Sequence, residues 1–438
     1  MSATKKRLGP AAAKVSDAQK RMLETVAEVC GFERRLAGTD AERRAANHVA
    51  SRCERDAREA DVQPIHVHPQ VPLVHALHCL IGFAASLVAV ASAPVGFALG
   101  LLAATSMYLD LNGRLYLLRR LFFRRASQNV VSRGGNADAP AKLLIVANLD
   151  AARTGAFFDP KRMRRVERTA RYLPAPYGPL RIVFWALAAL LPLLGLRMAG
   201  VDSGAISALQ LIPTLILLIG IFGLVDIELS DVVQGANTNA SGVAVALELG
   251  AELQANPPDN LDAWVVVTGG GECTSEGMRS FIRSHRREFD PPGTFVLNLS
   301  SVGRGELRYV ISQGLAVSFE MDRRLIELCD ALAGSDSIAD AAGHEKNKPG
   351  DSGASPPRAL PFRTGFADEA FPARIARLRP ISLTALGPGG IVPPGYHAAG
   401  DTVEHVDGGA LENARSFALE LISAIDRDIG RRQASQSD

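Results

Sequence analysis

From Leu73 to Leu109 the chain runs without one Asp, Glu, Lys or Arg: "LVHALHCLIGFAASLVAVASAPVGFALGLLAATSMYL". A bilayer crossing takes roughly 20 apolar helical residues, so this stretch exceeds what one span needs. Pro94 and Gly96 offer a turn near its middle. A second block, Ile182 to Val225, is broken by "GLRMAGVDSG" into "IVFWALAALLPLLGL" and "AISALQLIPTLILLIGIFGLV". Apolar runs of this length are rare in soluble cores, so two helical membrane hairpins are expected in preference to pairs of buried core helices.

The flanking charge is lopsided. Arg114, Arg119, Arg120, Arg124 and Arg125 follow the first block, and Lys161, Arg162, Arg164, Arg165, Arg168, Arg171 and Arg181 precede the second. Only Arg197 lies near a hairpin tip. By the positive-inside tendency the soluble segments and both termini face the cytoplasm. The run 161–171 reads equally as a solvated helix face or as a contact for anionic lipid headgroups.

The chain has 438 residues, enough for two or three ordinary domains or one large α/β domain with insertions. Its 48 Lys and Arg nearly balance 46 Asp and Glu, which gives no reason to expect nucleic acid. The five cysteines (Cys30, Cys53, Cys79, Cys273 and Cys329) are an odd number without CxxC spacing. That argues against a disulfide framework or zinc knuckle and for a reducing compartment. The first twenty residues are basic without an apolar core, so no cleaved signal peptide is expected.

Between the apolar blocks the pattern is α/β. Residues 37–58 open with Thr39-Asp40 and continue as an amphipathic helix, followed by the extended "VQPIHVHPQV". Residues 129–149 read as a hairpin-like strand pair ending near Asp150, and further strands are predicted at 263–269, 293–300, 306–313 and 379–386. Helices are predicted at 242–255, 275–289, 318–333 and 409–427. Such alternation, with Asn, Ser or an acid at strand exits, implies a largely parallel sheet with its site at the strands' C-terminal edge. The stretch 334–360, rich in Gly, Ala, Ser, Asp and Pro, reads as a long loop.

One loop poses the functional question. "GANTNASGVAVALELG", residues 235–250, is a polar turn leading straight into a helix, a setting suited to holding a ligand, yet Asn237 and Thr238 stand where a metal would need a carboxylate. The order of motifs around it resembles the co-catalytic di-zinc aminopeptidases, the metallopeptidase family of bacterial leucyl aminopeptidases and glutamate carboxypeptidase. Glutaminyl cyclases, transferrin receptor and nicastrin are relatives of that family. "RRLAGTDAERRAANHVASR" is similar to its entry helix and "NVV" at 129–131 to its early hairpin. "VANLDAARTG" resembles the segment with a His-x-Asp pair, and "GANTNASG" the loop with the bridging Asp. "VVVTGGGECTSEGMRSF" resembles the Glu-Glu segment, "VLNLSSVGRG" the "NLDMVG" strand and "GFADEAF" a Ser-Asp-His loop. "PPGYHAAGDTVEHVD" resembles the final histidine segment. The resemblance implies a three-layer α-β-α zinc-aminopeptidase-like domain with a mostly parallel mixed sheet, interrupted by two helical transmembrane hairpins. The domain would be assembled from residues 1–72, 110–180 and 230–438, with hairpins at 73–109 and 181–229. Since the three segments share one sheet, each apolar block crosses an even number of times.

The family's chemistry needs five side chains around two zinc ions, a shared carboxylate and a glutamate base that takes a proton from the bridging water. Carried over position by position, the first histidine is Asn148, with its companion acid kept as Asp150. The bridging aspartate is Thr238, and the general base falls on Gly271. The neighbouring ligand is kept as Glu272, the next aspartate is Ser300, and the last histidine is kept as His397. Glu272 and His397 serve the same metal in the family, so one ion could count on two ligands where a catalytic zinc takes three and a water. Each survivor also has a purely structural reading: Glu272 as a helix cap, His397 as a partner of backbone groups, Asp150 as an acceptor of loop amides, and Cys273 as a packed thiol.

The expectation is therefore a membrane-embedded, multi-pass protein with its aminopeptidase-like domain in the cytoplasm, acting as an inactive pseudopeptidase that binds a peptide or protein ligand and contacts membrane lipid. No cofactor is expected beyond zinc at a weak single site, and no nucleic acid. The alternative is a mononuclear zinc hydrolase of aminopeptidase or cyclase type using Glu272 and His397, with Asn148, Asp150 or Thr238 completing the sphere. A transport role ranks last, because only Asp226 and Glu228 place charge near the spans.

Overall fold

The computed structural model describes residues 16–170, 172, 175–334 and 358–437. Most of the loop expected at 334–360 lies outside them. The N-terminal third supplies α1 (Asp17–Cys30), α2 (Asp40–Arg55) and β1 (Glu59–Val67). Thr39 caps α2 through Glu42 N, as its position before an acidic first turn predicts. The first apolar block forms α3 (Val71–Ala91) and α4 (Ala93–Leu111). Then follow β2 (Arg125–Arg133), β3 (Ala141–Asn148) and α5 (Pro160–Ala170). The second block forms α6 (Pro179–Met198) and α7 (Gly204–Leu229).

The C-terminal half begins with α8 (Ser241–Ala255), β4 (Leu261–Thr268), α9 (Glu276–Ser284) and β5 (Thr294–Leu299). It continues with β6 (Glu306–Gln313), β7 (Phe319–Glu320), α10 (Arg323–Ala333) and β8 (Leu360–Arg363). The last elements are α11 (Ala370–Ile375), β9 (Arg379–Leu386) and α12 (Gly408–Ser437).

The strands form one mixed sheet in the order β1-β2-β4-β3-β5-β9-β6-β7, with β8 on β6. Its centre, β4-β3-β5-β9, is parallel; β1–β2, β2–β4, β6–β9 and β6–β7 pair antiparallel, and β8 pairs with β6 in parallel. The hairpin expected at 129–149 does not form: β2 pairs with β4, and β3 enters the sheet between β4 and β5. A run of apolar residues such as "KLLIVA" is buried on both faces, which suits a central parallel strand and not an edge hairpin.

Strand periodicity sorts the core into two layers. Leu143, Ile145 and Val265 face the helices α1, α2, α8, α10 and α12, whereas Leu144, Val146 and Val266 face α9 and α11.

The four helices of the apolar blocks pack together into a separate bundle with its own core, including Leu187, Leu190 and Leu217. Each is long and apolar enough to cross a membrane. Small residues let the helices approach closely: Gly96 packs against Ala85 and Ala89, and Gly82 against Leu187 and Leu217. Leu87, Val90, Ile212 and Phe222 point outward and are more than half exposed.

Charge also joins the bundle to the sheet domain. Asp110, at the end of α4, accepts from Arg119 Nε at 3.0 Å and from Nη2 at 2.5 Å, and both residues are fully buried. Arg119 also donates to Glu276 at the start of α9, and Glu276 accepts from the His68 backbone N–H at 2.6 Å. Arg119, expected among the flanking surface charges, is thus an interior residue, because the turn 112–121 folds back under α9. Removing this cation would leave Asp110 buried without its donor and Glu276 with His68 alone. Arg119→Met is expected to cost on the order of 3–5 kcal/mol, read as a lower denaturation midpoint in detergent.

Candidate functional site

The C-terminal ends of the central strands converge on a cleft floored by the loop 269–272, "GGGE". Three of these residues have no side chain, so the loop presents four successive backbone N–H groups that need acceptors. All four are met. Gly269 N donates to Asn129 Oδ1 at 3.1 Å, and Gly270 N to Glu42 Oε1 at 3.1 Å. Asp150 takes the other two, from Gly271 N at 2.7 Å and Glu272 N at 3.0 Å. Asp150 thus does what its strand-exit position suggested, tying down loop amides with both oxygens. Burial, with Glu42 and Glu272 close by, pushes its carboxyl well above the usual range.

Across the cleft, Ala236–Ala240 forms a tight π-helical turn entered through Gly235 at φ +65°. Thr238, at the expected bridging-acid position, is buried and committed to structure. Its N–H and hydroxyl both reach Asp401 Oδ2, at 3.1 and 2.6 Å, and Asn237 N donates to Asp401 Oδ1 at 2.7 Å. Asp401, four residues beyond His397 in "YHAAGD", is the acid that organises this turn. Sequence reasoning passed it over because it aligned with no ligand position.

Glu272 and His397, the two residues expected at ligand positions, meet. His397 Nε2 lies 3.3 Å from Glu272 Oε2, and Asn239 Nδ2 donates to Glu272 Oε1 at 3.1 Å. Burial alone would raise the Glu272 carboxyl, but the facing imidazole and the amide donor outweigh it and hold it below its ordinary value. Glu272 does not cap α9, which starts at Glu276. His397 has its backbone in the left-handed region at φ +50°, and its ring stacks on Tyr396 at 4.0 Å and lies 4.7 Å from Phe158. Cys273 is a buried packed thiol. Asn148 is buried at the end of β3, its amide 3.4 Å from the Asp150 carbonyl, and Ser300 follows β5 half-buried. Among the described residues no three His, Cys, Asp or Glu side chains come together as a metal site.

Gly271 is closed to a larger side chain. A Cβ there would stand 2.5 Å from Asn148 Cβ and 2.8 Å from Glu369 Oε1. Glu369, from the "GFADEAF" loop, is almost fully buried, and that oxygen has no hydrogen-bond partner. Burial, with Asp368 beside it, pushes its carboxyl up to about 8, so at neutral pH it is mostly protonated. An acid from a distant segment therefore lies beside the position where the family keeps its base. Within "GGGECT" nothing signalled this, since the approach is made by chain folding.

With this geometry established, known proteins can be compared. The peptidase family M28 model matches residues 222–422. The zinc aminopeptidase BSAP from Bacillus subtilis superposes with a TM-score of 0.51 at 13% identity, covering 94% of this chain and 96% of that one. Over residues 222–422 the chain is thus similar to the M28 peptidases. Glutaminyl cyclase from Bacteroides thetaiotaomicron, solved with N-acetylhistamine, superposes with a TM-score of 0.50 at 12% identity, covering 94% and 99%. At such identities the likeness is one of fold. No curated protein sequence matches. The residues matched by the family model include Thr238, Gly271, Glu272, Ser300 and His397, while Asn148 and Asp150 precede them.

Two measurements check this site. Glu369 holds its proton above its ordinary value of 4.5, so its contribution to stability is full below about pH 5 and lost as pH rises through about 8. Glu369→Gln is expected to remove that loss, gaining on the order of a few kcal/mol over the parent in alkaline denaturation and little in acid. Gly271→Glu, which introduces the residue the resemblance expects there, should lower the thermal midpoint by several degrees, because Asn148 and Glu369 leave its Cβ no room.

Proposed function

We propose that this protein is a membrane-embedded pseudopeptidase whose M28-like cleft binds a ligand without activating a water. The observation that carries the reading is the direct contact of Glu272 with His397, with no third anionic donor free to join them. Asp150 has spent both oxygens on loop amides, Thr238 is bound to Asp401, and the Gly271 position is closed. Asn148, Asn239, Thr238 and Ser300 leave a polar, hydrogen-bonding surface suited to a peptide-like group. A catalytic zinc takes three protein ligands, and Glu272 and His397, already in contact with each other, are two.

The membrane part of the proposal is supported by the four apolar helices and by the basic face of α5, where Arg162, Arg164, Arg165 and Arg168 are all exposed. With both helical pairs entering and leaving on the domain side, the domain lies in the cytoplasm and the tip near Asp202 on the far side. A reporter inserted at Asp202 is expected to be inaccessible from the cytoplasm, and one at the C-terminus accessible.

A second reading, a mononuclear hydrolase on Glu272 and His397, draws on the protonated carboxyl of Glu369 beside Gly271. Metal content and turnover separate the two. Purified protein exposed to zinc and desalted is expected to retain well under one equivalent and to show neither aminopeptidase nor glutaminyl-cyclising activity. Stoichiometric zinc with turnover that disappears in His397→Ala would overturn the pseudopeptidase reading.

A further inference from the structure

The cleft does not end at the sheet domain. A cavity of about 390 Å³ runs from Glu272 and His397 along the wall of the helical bundle, where Val183, Gly220 and Leu224 line it. That volume falls in the range that holds small molecules. Its walls are overwhelmingly apolar, unlike a site made only for peptide backbone.

Two features indicate what enters. Ile182 of α6 and Ile219 of α7 line the cavity yet are 44% and 60% exposed on the bundle's outer face, so the cavity reaches the surface that faces acyl chains. His75, in the second turn of α3, also lines it. This imidazole is fully buried and neither ring nitrogen has a hydrogen-bond partner. Its nearest acid, Asp110 at 3.8 Å, is held by Arg119. A buried ring with both nitrogens unpaired is costly unless something bonds to it.

At the cleft end Glu272 faces His397 at 3.3 Å, and Arg153, which also lines the cavity, donates to the Ser230 carbonyl at 2.8 Å.

We propose that this cavity binds a single-chain acyl amphiphile with a hydrogen-bonding head. The chain enters from the bilayer between α6 and α7, and the head, an amide or hydroxyl, bonds to His75 beside the Glu272–His397 pair. The inference rests on the membrane-embedded reading above and adds the ligand class. A membrane-spanning helix is a poorer fit, since a helix about 10 Å wide would have to displace α6 or α7.

The test uses the full chain in phosphatidylcholine vesicles with a palmitoyl-glycinamide carrying a photoactivatable group on its acyl chain. Labelling is expected on α6 and α7 at the cavity wall, competed by unlabelled palmitoyl-glycinamide and not by acetyl-glycinamide. Leu224→Trp, which fills the cavity, should reduce specific labelling roughly tenfold, and the near-isosteric His75→Phe roughly fivefold, the loss of one buried hydrogen bond. Leu209→Trp, on the outer face away from the cavity, should change nothing. Even labelling of all outward helix faces, indifferent to Leu224→Trp, His75→Phe and unlabelled competitor, overturns the inference. So does competition by acetyl-glycinamide as strong as by the acylated compound, or stronger competition by an apolar peptide. Release of the protein from vesicles by alkaline carbonate would instead overturn the membrane reading, and this inference with it.

Discussion

A carboxylate held out of water must find a donor, and in this cleft Asp150, Asp401 and Glu272 have each found one in the protein itself. Asp150 takes two backbone amides, Asp401 takes the turn at 237–238, and Glu272 takes His397 and Asn239. In a zinc peptidase, metal ions would supply much of that compensation. Here backbone N–H groups, Asn239 and His397 face those acids. On the proposed reading, these contacts keep the cleft in shape without a metal ion.

The same requirement joins the two halves of the molecule. Arg119 lies between Asp110 of the bundle and Glu276 of the sheet domain, and neither acid is exposed. Such a pair contributes less through raw attraction than through the penalty for separating it. It ties the end of α4 to the start of α9, a few residues beyond Glu272. Bundle and cleft are in this way fastened together just where the cavity passes from one to the other.

Much of the frame could be read from the residues. The apolar blocks, the helix beginning at Asp40 and the strands 306–313 and 379–386 were legible because periodicity and capping are local signals. The pairing of β2 was not, since "NVVSR" and "LLIVA" look like neighbours until β4 comes between them. The cleft positions Asn148, Asp150, Thr238, Gly271, Glu272, Ser300 and His397 could be placed from motif order, and the structure brings them to one sheet edge. Their partners could not. Asp401 reaches Thr238 from 163 residues away in sequence and Glu369 reaches Gly271 from 98, both in motifs already assigned to other roles.

The sequence by itself determined which charges exist to be placed: long uncharged runs that must be covered by helix–helix packing or lipid, and a cleft short of acids. Those are properties of composition and order, and no folding step can alter them. Tertiary structure alone decided what each remaining polar group meets: Glu272 its histidine, Gly271 a foreign carboxyl, His75 an apolar cavity. The reason is that hydrogen bonding and desolvation act over a few ångströms in space, and separation along the chain says nothing about that distance.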